Sequence, residues 1–345
     1  MRYRTPPVFD LDIQRMPCYG SKRNRRLPPG GIRRIAYTAG NALPKVHPLM
    51  HSMRQTSPFW DSLDAVLIIN LAHRTDRWER ITAMLRDLVP AEKIHRLDAV
   101  RGITMPGYLE QPWFTDKTPE KVAIMRAGSA GCIASHRKAI ETARDNGWKN
   151  VLILEDDANL FDTLEGRKGD MIAEIIRDPQ AWDIFYLGFY QRHFKYAVCR
   201  EETIDGEPFR LVRMGGPIML HAYIVNQSIY QPLLDGMPTQ DDIWEWNAYY
   251  GSIDAWMQNY FTRDRNIKVW GTLPRLCMQI ADYSDLLARP RTVEEEMGIH
   301  RTVFENPVTL ASLEASLPRS IWKKMYDAYK YGGRLFRHRR HGFTK

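Results

Sequence analysis

The pattern of apolar and polar positions predicts alternating strands and helices from about residue 64 onward. Two unbroken apolar runs, residues 65–69 and 151–154, are typical of strands buried on both faces of a parallel sheet. Between them, residues 76–88 carry an apolar stripe at helical spacing, and residues 94–100 predict a second strand. This β-α-β order predicts an α/β fold with a parallel sheet flanked by helices.

The later part of the chain continues this alternation after an irregular stretch. Residues 103–127 contain three prolines and predict a long loop, and the glycines of residues 128–131 are expected to open a helix from Cys132 to Asn146. Further predicted elements are strands at residues 182–188, 218–225 and 267–270, a hairpin turn at Asp205-Gly206, and helices at residues 228–234 and 253–261.

The composition is ordinary except for a positive net charge, which needs an explanation. The chain has 345 residues with 44% hydrophobic and 26% charged residues, as in ordinary globular proteins, but its formal net charge is +8. No apolar run approaches the roughly 20 residues that span a bilayer, and Met1 is not followed by an apolar signal segment. We therefore expect a cytoplasmic protein, with peripheral attachment to a membrane as the alternative.

The charge clusters toward the two ends of the chain and suggests three parts. Residues 1–60 predict a basic, Pro- and Gly-rich N-terminal extension, residues 61–290 the α/β domain, and residues 291–345 a basic C-terminal helical tail. No helix-turn-helix, RNP or zinc-finger pattern accompanies the charge, so we expect no specific nucleic-acid partner.

The C-terminal tail contains an apolar stripe at helical spacing. It consists of Trp322, Met325, Tyr326 and Tyr329, with lysines beside it. Such a helix either packs on its own domain or lies on an anionic membrane.

The cysteines carry little information in their spacing. Cys18, Cys132, Cys199 and Cys277 are far apart and form no CxxC pair. This spacing argues against a disulfide framework and against a zinc site, and it suits a reducing compartment.

The strongest chemical signal is the acidic end of the strand at residues 151–154. That strand runs directly into Glu155, Asp156 and Asp157, at the edge where open α/β sheets bind ligands. Glu155 and Asp157 are two residues apart and can point the same way from an extended backbone. A divalent cation would offset the repulsion between neighbouring carboxylates, whereas a solvated acidic turn is the alternative.

A second group of polar residues follows the first strand. Asn70, Arg74 and Arg77 could meet a base or phosphates there, or the two arginines could pair with Asp76 and Glu79 on the surface. Both interpretations stay open on the sequence.

A third group is Ser135-His136, on the helix before the acidic strand. A lone helical histidine is more often a packed, hydrogen-bonded residue than a catalyst. The chain has no Walker loop, no GxGxxG fingerprint and no nucleophile elbow, so the hydrolase, P-loop and dinucleotide-binding classes lack support.

The order of these motifs resembles glycosyltransferase family 25, which includes lipooligosaccharide and collagen hydroxylysine galactosyltransferases. The resemblance covers about residues 64–287. The residues that carry it are Ile69-Asn70-Leu71, Arg74, Asp76-Arg77, Leu97-Asp98-Ala99, Gly131-Cys132, Ser135-His136, Leu154-Glu155-Asp156-Asp157, Tyr186-Leu187-Gly188, Ala222-Tyr223, Ile253-Asp254 and Tyr283-Ser284-Asp285-Leu286.

The resemblance implies a GT-A type, Rossmann-like α/β fold with a mixed, mostly parallel sheet flanked by helices. It also implies inverting transfer of a sugar, commonly galactose, from a UDP-sugar to a hydroxyl group. The acidic triplet takes the place of the family's DxD-like motif, with Glu155 and Asp157 as ligands of Mn²⁺ or Mg²⁺. Asp254 is the candidate catalytic base, or else the N-cap of the helix that follows. The donor-binding candidates are Asn70, Arg74, Arg77, Asp98, Ser135, His136 and Asp156.

One departure from the family pattern concerns donor selection. Residues 128–132 read Gly-Ser-Ala-Gly-Cys where the family often has Gly-Glu-Ile-Gly-Cys, so the contact of that glutamate is in doubt. The expected partners are a nucleotide-sugar donor and a glycan, lipid or protein acceptor. The alternative is a basic protein that binds nucleic acid or an anionic membrane on an inactive scaffold.

Overall fold

The computed structural model describes residues 57–190, 195–264, 266–284, 289–290, 307–316 and 321–344. The helices are α1 (Pro58–Asp61), α2 (Thr75–Leu85), α3 (Glu120–Asp145), α4 (Arg167–Ile176), α5 (Tyr230–Gly236), α6 (Ile243–Tyr250), α7 (Ile253–Phe261), α8 (Leu310–Ala315) and α9 (Ile321–His341). The strands are β1 (Ala65–Asn70), β2 (Ile94–Asp98), β3 (Asn150–Glu155), β4 (Ala158–Leu160), β5 (Ile184–Tyr190), β6 (Tyr196–Ile204), β7 (Glu207–Met214), β8 (Ile218–Asn226), β9 (Val269–Leu273), β10 (Cys277–Gln279), β11 (Tyr283–Ser284) and β12 (Arg289–Pro290).

In the part of the chain that the structure describes, eight strands form one central sheet in the order β2-β1-β3-β8-β5-β9-β7-β6. β1 pairs in parallel with β2 and β3, and β5 pairs in parallel with β9. β8 and β7 run antiparallel to their neighbours, so six of these eight strands point the same way. The predicted α/β class, a mixed and mostly parallel sheet flanked by helices, is confirmed.

The central strands are buried on both faces, as their unbroken apolar runs predicted. In β1, Ala65, Leu67 and Ile69 face the core under α3, whereas Val66 and Ile68 face the core under α2 and α4. Strand β3 alternates in the same way. The polar residues that follow these strands therefore lie at the carboxyl edge of the sheet.

Helix α3 begins earlier than the sequence predicted. It starts at Glu120 inside the expected loop and continues through the glycines that were expected to open it. A Cβ atom at Gly131 would lie 2.4 Å from the Val100 carbonyl oxygen, so glycine allows the helix to pass against the segment after β2. Close packing outweighs the low helix propensity of glycine here.

The expected domain boundaries change at both ends. Phe59 and Trp60 in α1 are buried against the helices on their face of the sheet, so the domain begins before residue 61. At the other end, Phe343 is fully buried and α9 packs on α6, and residues 54–345 form one compact unit. The C-terminal helix is thus part of the domain, whereas most of the predicted extension lies outside the described residues.

The two members of the α9 stripe whose side chains the structure describes, Met325 and Tyr329, point outward. Met325 is 58% exposed and Tyr329 is 80% exposed, whereas Tyr331 on the inner side stacks near Tyr249 and accepts a hydrogen bond from Asn259. The side chains of Trp322 and Tyr326 lie outside the described set. None of the described helices is long and apolar enough to cross a membrane.

Candidate active site

A cavity of about 470 Å³ opens at the carboxyl ends of β1, β2 and β3. Its walls come from the loops after these strands, from α3, from the start of β8 and from the start of α7. An open α/β sheet binds its ligands at this edge.

Glu155 and Asp157 lie together in this cavity, as the sequence predicted. The side-chain amide of Gln279 donates to Glu155 Oε2 at 2.9 Å and to Asp157 Oδ1 at 3.2 Å, so the two carboxylates converge on one group. Converging carboxylate oxygens are ligands that hard cations such as Mn²⁺ and Mg²⁺ prefer. The residues present therefore fit the expected metal, with room in the cavity for further oxygen ligands.

The carboxylate of Asp156, between Glu155 and Asp157, is hydrogen-bonded to other side chains of the protein. Its carboxylate accepts hydrogen bonds from Asn70 Nδ2 at 2.7 Å and from Arg77 Nη1 at 2.8 Å, and all three residues are buried. Asn70 does not line the cavity. Asp156 does line it, and the side chains of Asn70 and Asp156 join the loops after β1 and β3. The expected donor contact of the buried Asn70 has no support here, whereas that of Asp156 stays a prediction.

Arg77 takes part in a buried ion pair and also lines the cavity. It pairs with Asp156, yet it also lines the cavity, with Nη1 3.9 Å from Asp157 Oδ2. Burial lowers the pKa of Arg77, but the Asp156 and Asp157 carboxylates raise it by more, so the net pKa lies above the ordinary value. Arg77 is thus a permanent positive charge beside the acidic triplet.

Arg74 and Asp98 lie away from the cavity. Arg74 pairs with Asp76 at 2.9 Å and with Asp282 at 3.5 Å, and its hydrogen bond holds the pKa of Asp76 well below the usual range. The surface-pairing alternative is therefore correct for Arg74. The Asp98 side chain is 70% exposed, lies 3.9 Å from Arg96 and is not among the residues that line the cavity, and its expected contact with the donor stays a prediction.

Ser135 lines the cavity, and its hydroxyl also ties α3 to a neighbouring segment. Its hydroxyl accepts a hydrogen bond from the Val100 N–H at 2.8 Å and donates to the Gly131 carbonyl at 2.7 Å. These bonds tie α3 to the segment after β2, where Gly131 allows the close approach. The expected contact of Ser135 with the donor stays a prediction.

His136 is packed and hydrogen-bonded, as its alternative interpretation held. Its Nδ1 lies 2.8 Å from the Tyr223 hydroxyl, and its Nε2 lies 3.2 Å from Glu155 Oε1. It therefore reaches the acidic strand end directly and holds one oxygen of Glu155, while Gln279 holds the other.

Asp254 lines the cavity from the first turn of α7. The N-cap residue of this helix is Ser252, so the N-cap alternative for Asp254 is wrong, although Asp254 Oδ1 accepts a hydrogen bond from the Ala255 N–H at 2.8 Å. One carboxylate oxygen of Asp254 is thus held by the helix start.

The Cys132 thiol lies in a negatively charged part of the cavity. Burial raises the pKa of this thiol well above its ordinary value, and the charges of Glu155, Asp254 and Asp157 raise it further. Negative charges from β3, from the turn after it and from α7 thus act on one thiol, which lines the same cavity.

The sequence assigned no role to Gln279, Tyr223 or Met219. Gln279 lies more than 120 residues from the carboxylates it bridges, and Tyr223 meets His136 across the sheet. Met219 lines the cavity with a φ of 80°, a left-handed conformation that is uncommon for methionine. No local sequence pattern marks these positions, because each depends on contacts between distant strands.

The sequence was compared with known protein families to test its resemblance to glycosyltransferase family 25. Residues 63–205 match the profile of glycosyltransferase family 25 (LPS biosynthesis protein). Over these residues the chain is similar to family 25 glycosyltransferases. The match spans the acidic triplet and His136, and it ends before Asp254 and Gln279.

Some relatives of this chain are named as inactive proteins, and others as galactosyltransferases. The human "Inactive glycosyltransferase 25 family member 3" is 28% identical over 203 residues, which are 56% of this chain and 33% of that protein. "Procollagen galactosyltransferase 1-B" of Xenopus laevis is 29% identical, over 42% of this chain and 24% of that protein. The chain therefore matches about a third or less of the length of these relatives.

Among solved structures, the mannose-1-phosphate geranyltransferase of Thermus thermophilus is 14% identical. The match covers 60% of this chain and 72% of that chain, with a TM-score of 0.26. At that level of similarity, the fold rests on the sheet order and helix layers described above.

Proposed function

We propose that this protein is a metal-dependent glycosyltransferase that moves a hexose from a UDP-sugar to a hydroxyl group of a glycan, a lipid-linked glycan or a protein, with inversion. The observation that supports the proposal is the convergence of Glu155 and Asp157 on one cavity, in the part of the chain that matches the family 25 profile. Galactose is the expected sugar, because some relatives are named procollagen galactosyltransferases.

In this proposal, the acidic strand end handles the leaving group. Glu155 and Asp157 would hold Mn²⁺ or Mg²⁺, which when bound supplies positive charge beside the diphosphate. Gln279 and His136 fix the two oxygens of Glu155, so that the carboxylate is oriented before any ligand arrives. Arg77 adds a second positive charge on the same side.

Asp254 is the residue that we propose as the base. An inverting transfer needs a group that accepts the proton of the acceptor hydroxyl as the new bond forms. Asp254 is on a different element from the acidic triplet and lines the same cavity. The two halves of the reaction thus have separate carboxylates.

Manganese-dependent UDP binding tests this function. We expect UDP with Mn²⁺, at about 100 times its dissociation constant, to raise the melting temperature by about 5–10 °C, because ligand at that excess stabilises the native state by about 2.7 kcal/mol. UDP with EDTA and uridine with Mn²⁺ are the controls. Equal shifts with Mn²⁺ and with EDTA would show that the carboxylates do not hold a metal for the diphosphate.

A second proposal concerns the outer face of α9, which we propose lies on an anionic membrane surface. Met325, Tyr329 and Phe336 are 58%, 80% and 68% exposed and recur on the side opposite the packed residues. Helix α9 contains seven lysines and arginines and one aspartate. Exposed apolar side chains with a basic rim suit an anionic bilayer, where each nearby cation contributes about 1 kcal/mol.

Vesicle flotation tests this surface. We expect binding to phosphatidylserine vesicles that weakens with salt, and a loss of at least about tenfold in the double variant Tyr329→Ser/Phe336→Ser, because each buried aromatic side chain is worth about 1.5–3 kcal/mol. Phe161→Ser is the control, since Phe161 is also exposed and lies outside α9. Dimers in place of vesicle binding, or wild-type affinity in the double variant, would contradict the proposal.

A further inference from the structure

Cys132, His136 and Glu155 form a cluster of a different chemistry inside the cavity. Cys132 and His136 are one turn apart on α3, and Glu155 ends β3. One ligand atom from each residue, the Cys132 sulfur, a His136 ring nitrogen and a Glu155 oxygen, lies within 4.8 Å of the other two. A thiol, an imidazole and a carboxylate therefore meet around one point.

The histidine of this cluster is already oriented as metal-ligating histidines are. Its Nδ1 is held by the Tyr223 hydroxyl, which leaves Nε2 directed at Glu155. A hydrogen bond to the second ring nitrogen fixes the orientation of a ligating histidine. Two ligands at about 2.0 Å from a tetrahedral ion lie about 3.3 Å apart, and the observed separation between Nε2 and Glu155 Oε1 is 3.2 Å.

The cluster differs from the carboxylate pair in the ions that it prefers. Thiolate and imidazole ligands select Zn²⁺ and similar ions, whereas carboxylates alone suit Mn²⁺ and Mg²⁺. Glu155 belongs to both sets, because its Oε1 faces His136 and its Oε2 faces the amide shared with Asp157. An ion bound by Cys132, His136 and Glu155 therefore takes Glu155 away from the pair that it forms with Asp157, and the reverse is also true.

We infer that Cys132, His136 and Glu155 bind Zn²⁺, with the fourth ligand position open to the cavity, and that bound Zn²⁺ competes with the hard cation for Glu155. Binding replaces the thiol proton of Cys132 with the metal and releases that proton to solvent, so the affinity rises with pH. The linear spacing of the cysteines could not indicate this site, since its third ligand comes from a strand. The competition rests on the proposed function, but the zinc site does not.

Cobalt substitution tests the zinc site directly. Co²⁺ bound to a thiolate gives a charge-transfer absorption, which we expect in the wild type and in Cys199→Ser, and which Zn²⁺ should remove. Cys132→Ser should lose this band, whereas Asp157→Asn should keep it, because Asp157 is not in the cluster. Cys199 is exposed on β6 and is the matched control for the loss of a thiol.

The stacked tyrosines Tyr223 and Tyr186 provide a second matched pair. Tyr223→Phe removes the hydroxyl that orients His136 and should lower the Zn²⁺ affinity by about 10–100-fold. Tyr186→Phe should leave the affinity unchanged, since the Tyr186 hydroxyl has no hydrogen-bond partner in the described part of the chain.

Three results would overturn the inference. They are the absence of the cobalt–thiolate band in the wild type, its persistence in Cys132→Ser, and equal Zn²⁺ affinities for the two phenylalanine variants. Competition is read separately, as an increase in the dissociation constant of UDP with Mn²⁺ when Zn²⁺ is added. If UDP never binds with Mn²⁺ but the cobalt band appears, the proposed function fails and the zinc site stands.

Discussion

Replacing Asp157 with asparagine is expected to weaken manganese-dependent UDP binding by more than about 100-fold and to abolish sugar transfer. Asparagine keeps the shape of the side chain but removes the charge that a hard cation needs. Removing even a hydrogen-bond partner of a metal ligand lowers metal affinity by about 10–100-fold, so the loss of a ligand should exceed that range. Calorimetric titration of UDP with Mn²⁺ measures the effect.

Asp254→Asn should separate the two steps that the cavity serves. We expect UDP to bind as in the wild type, while the rate of transfer falls by about 10²–10⁴-fold, the range of a lost general base. Asp87→Asn is the control for removing one carboxylate, because Asp87 is exposed and does not line the cavity. Loss of UDP binding in Asp254→Asn would place that residue on the donor side, and unchanged transfer would remove it from the reaction.

The parts of the fold that the sequence predicted are those with a strong local pattern. The runs in β1 and β3 are apolar at every position because both faces of these strands are buried. The hairpin between β6 and β7 was also predictable, since Asp205-Gly206 supplies two residues with positive φ.

Helix α3 and the C-terminal helix show where local patterns fail. The glycines in α3 resemble a helix start, but they lie where the segment after β2 passes the helix, and only the assembled fold reveals that contact. In α9, Met325 and Tyr329 of the predicted stripe are exposed, while Tyr331, Leu335 and His338 on the other side meet the domain. When a helix has apolar residues on two sides, its sequence does not predict which side packs on the domain.

The candidate site divides in the same way. Glu155 and Asp157 were predictable because they follow a buried strand whose end defines the edge of the sheet. Gln279 and Tyr223 were not, since they reach these residues from strands far away in the sequence. Asn70 lies outside the cavity and bonds to Asp156, because a polar residue at a strand end can satisfy another buried polar residue instead of a ligand.

Replacing Arg77 with methionine is expected to lower the free energy of unfolding by about 3–5 kcal/mol. The variant keeps an apolar stem but leaves the buried Asp156 carboxylate with Asn70 and without a cation, and an uncompensated buried charge costs about that amount. Urea unfolding monitored by tryptophan fluorescence measures the change. The double variant Arg77→Met/Asp156→Asn should regain much of the loss, because it removes the unpaired charge.

Arg80→Met is the matched control for this experiment. Arg80 is partly exposed and reaches Asp282 at 3.4 Å, so its loss should change stability by no more than about 1 kcal/mol. Equal effects of the two variants would show that Asp156 does not depend on Arg77, and Arg77 would then be available to a phosphate, as the sequence first suggested. A large effect of Arg77→Met alone means instead that this arginine holds the acidic triplet together, and that Glu155 and Asp157 face the cavity because Asp156 is held from behind.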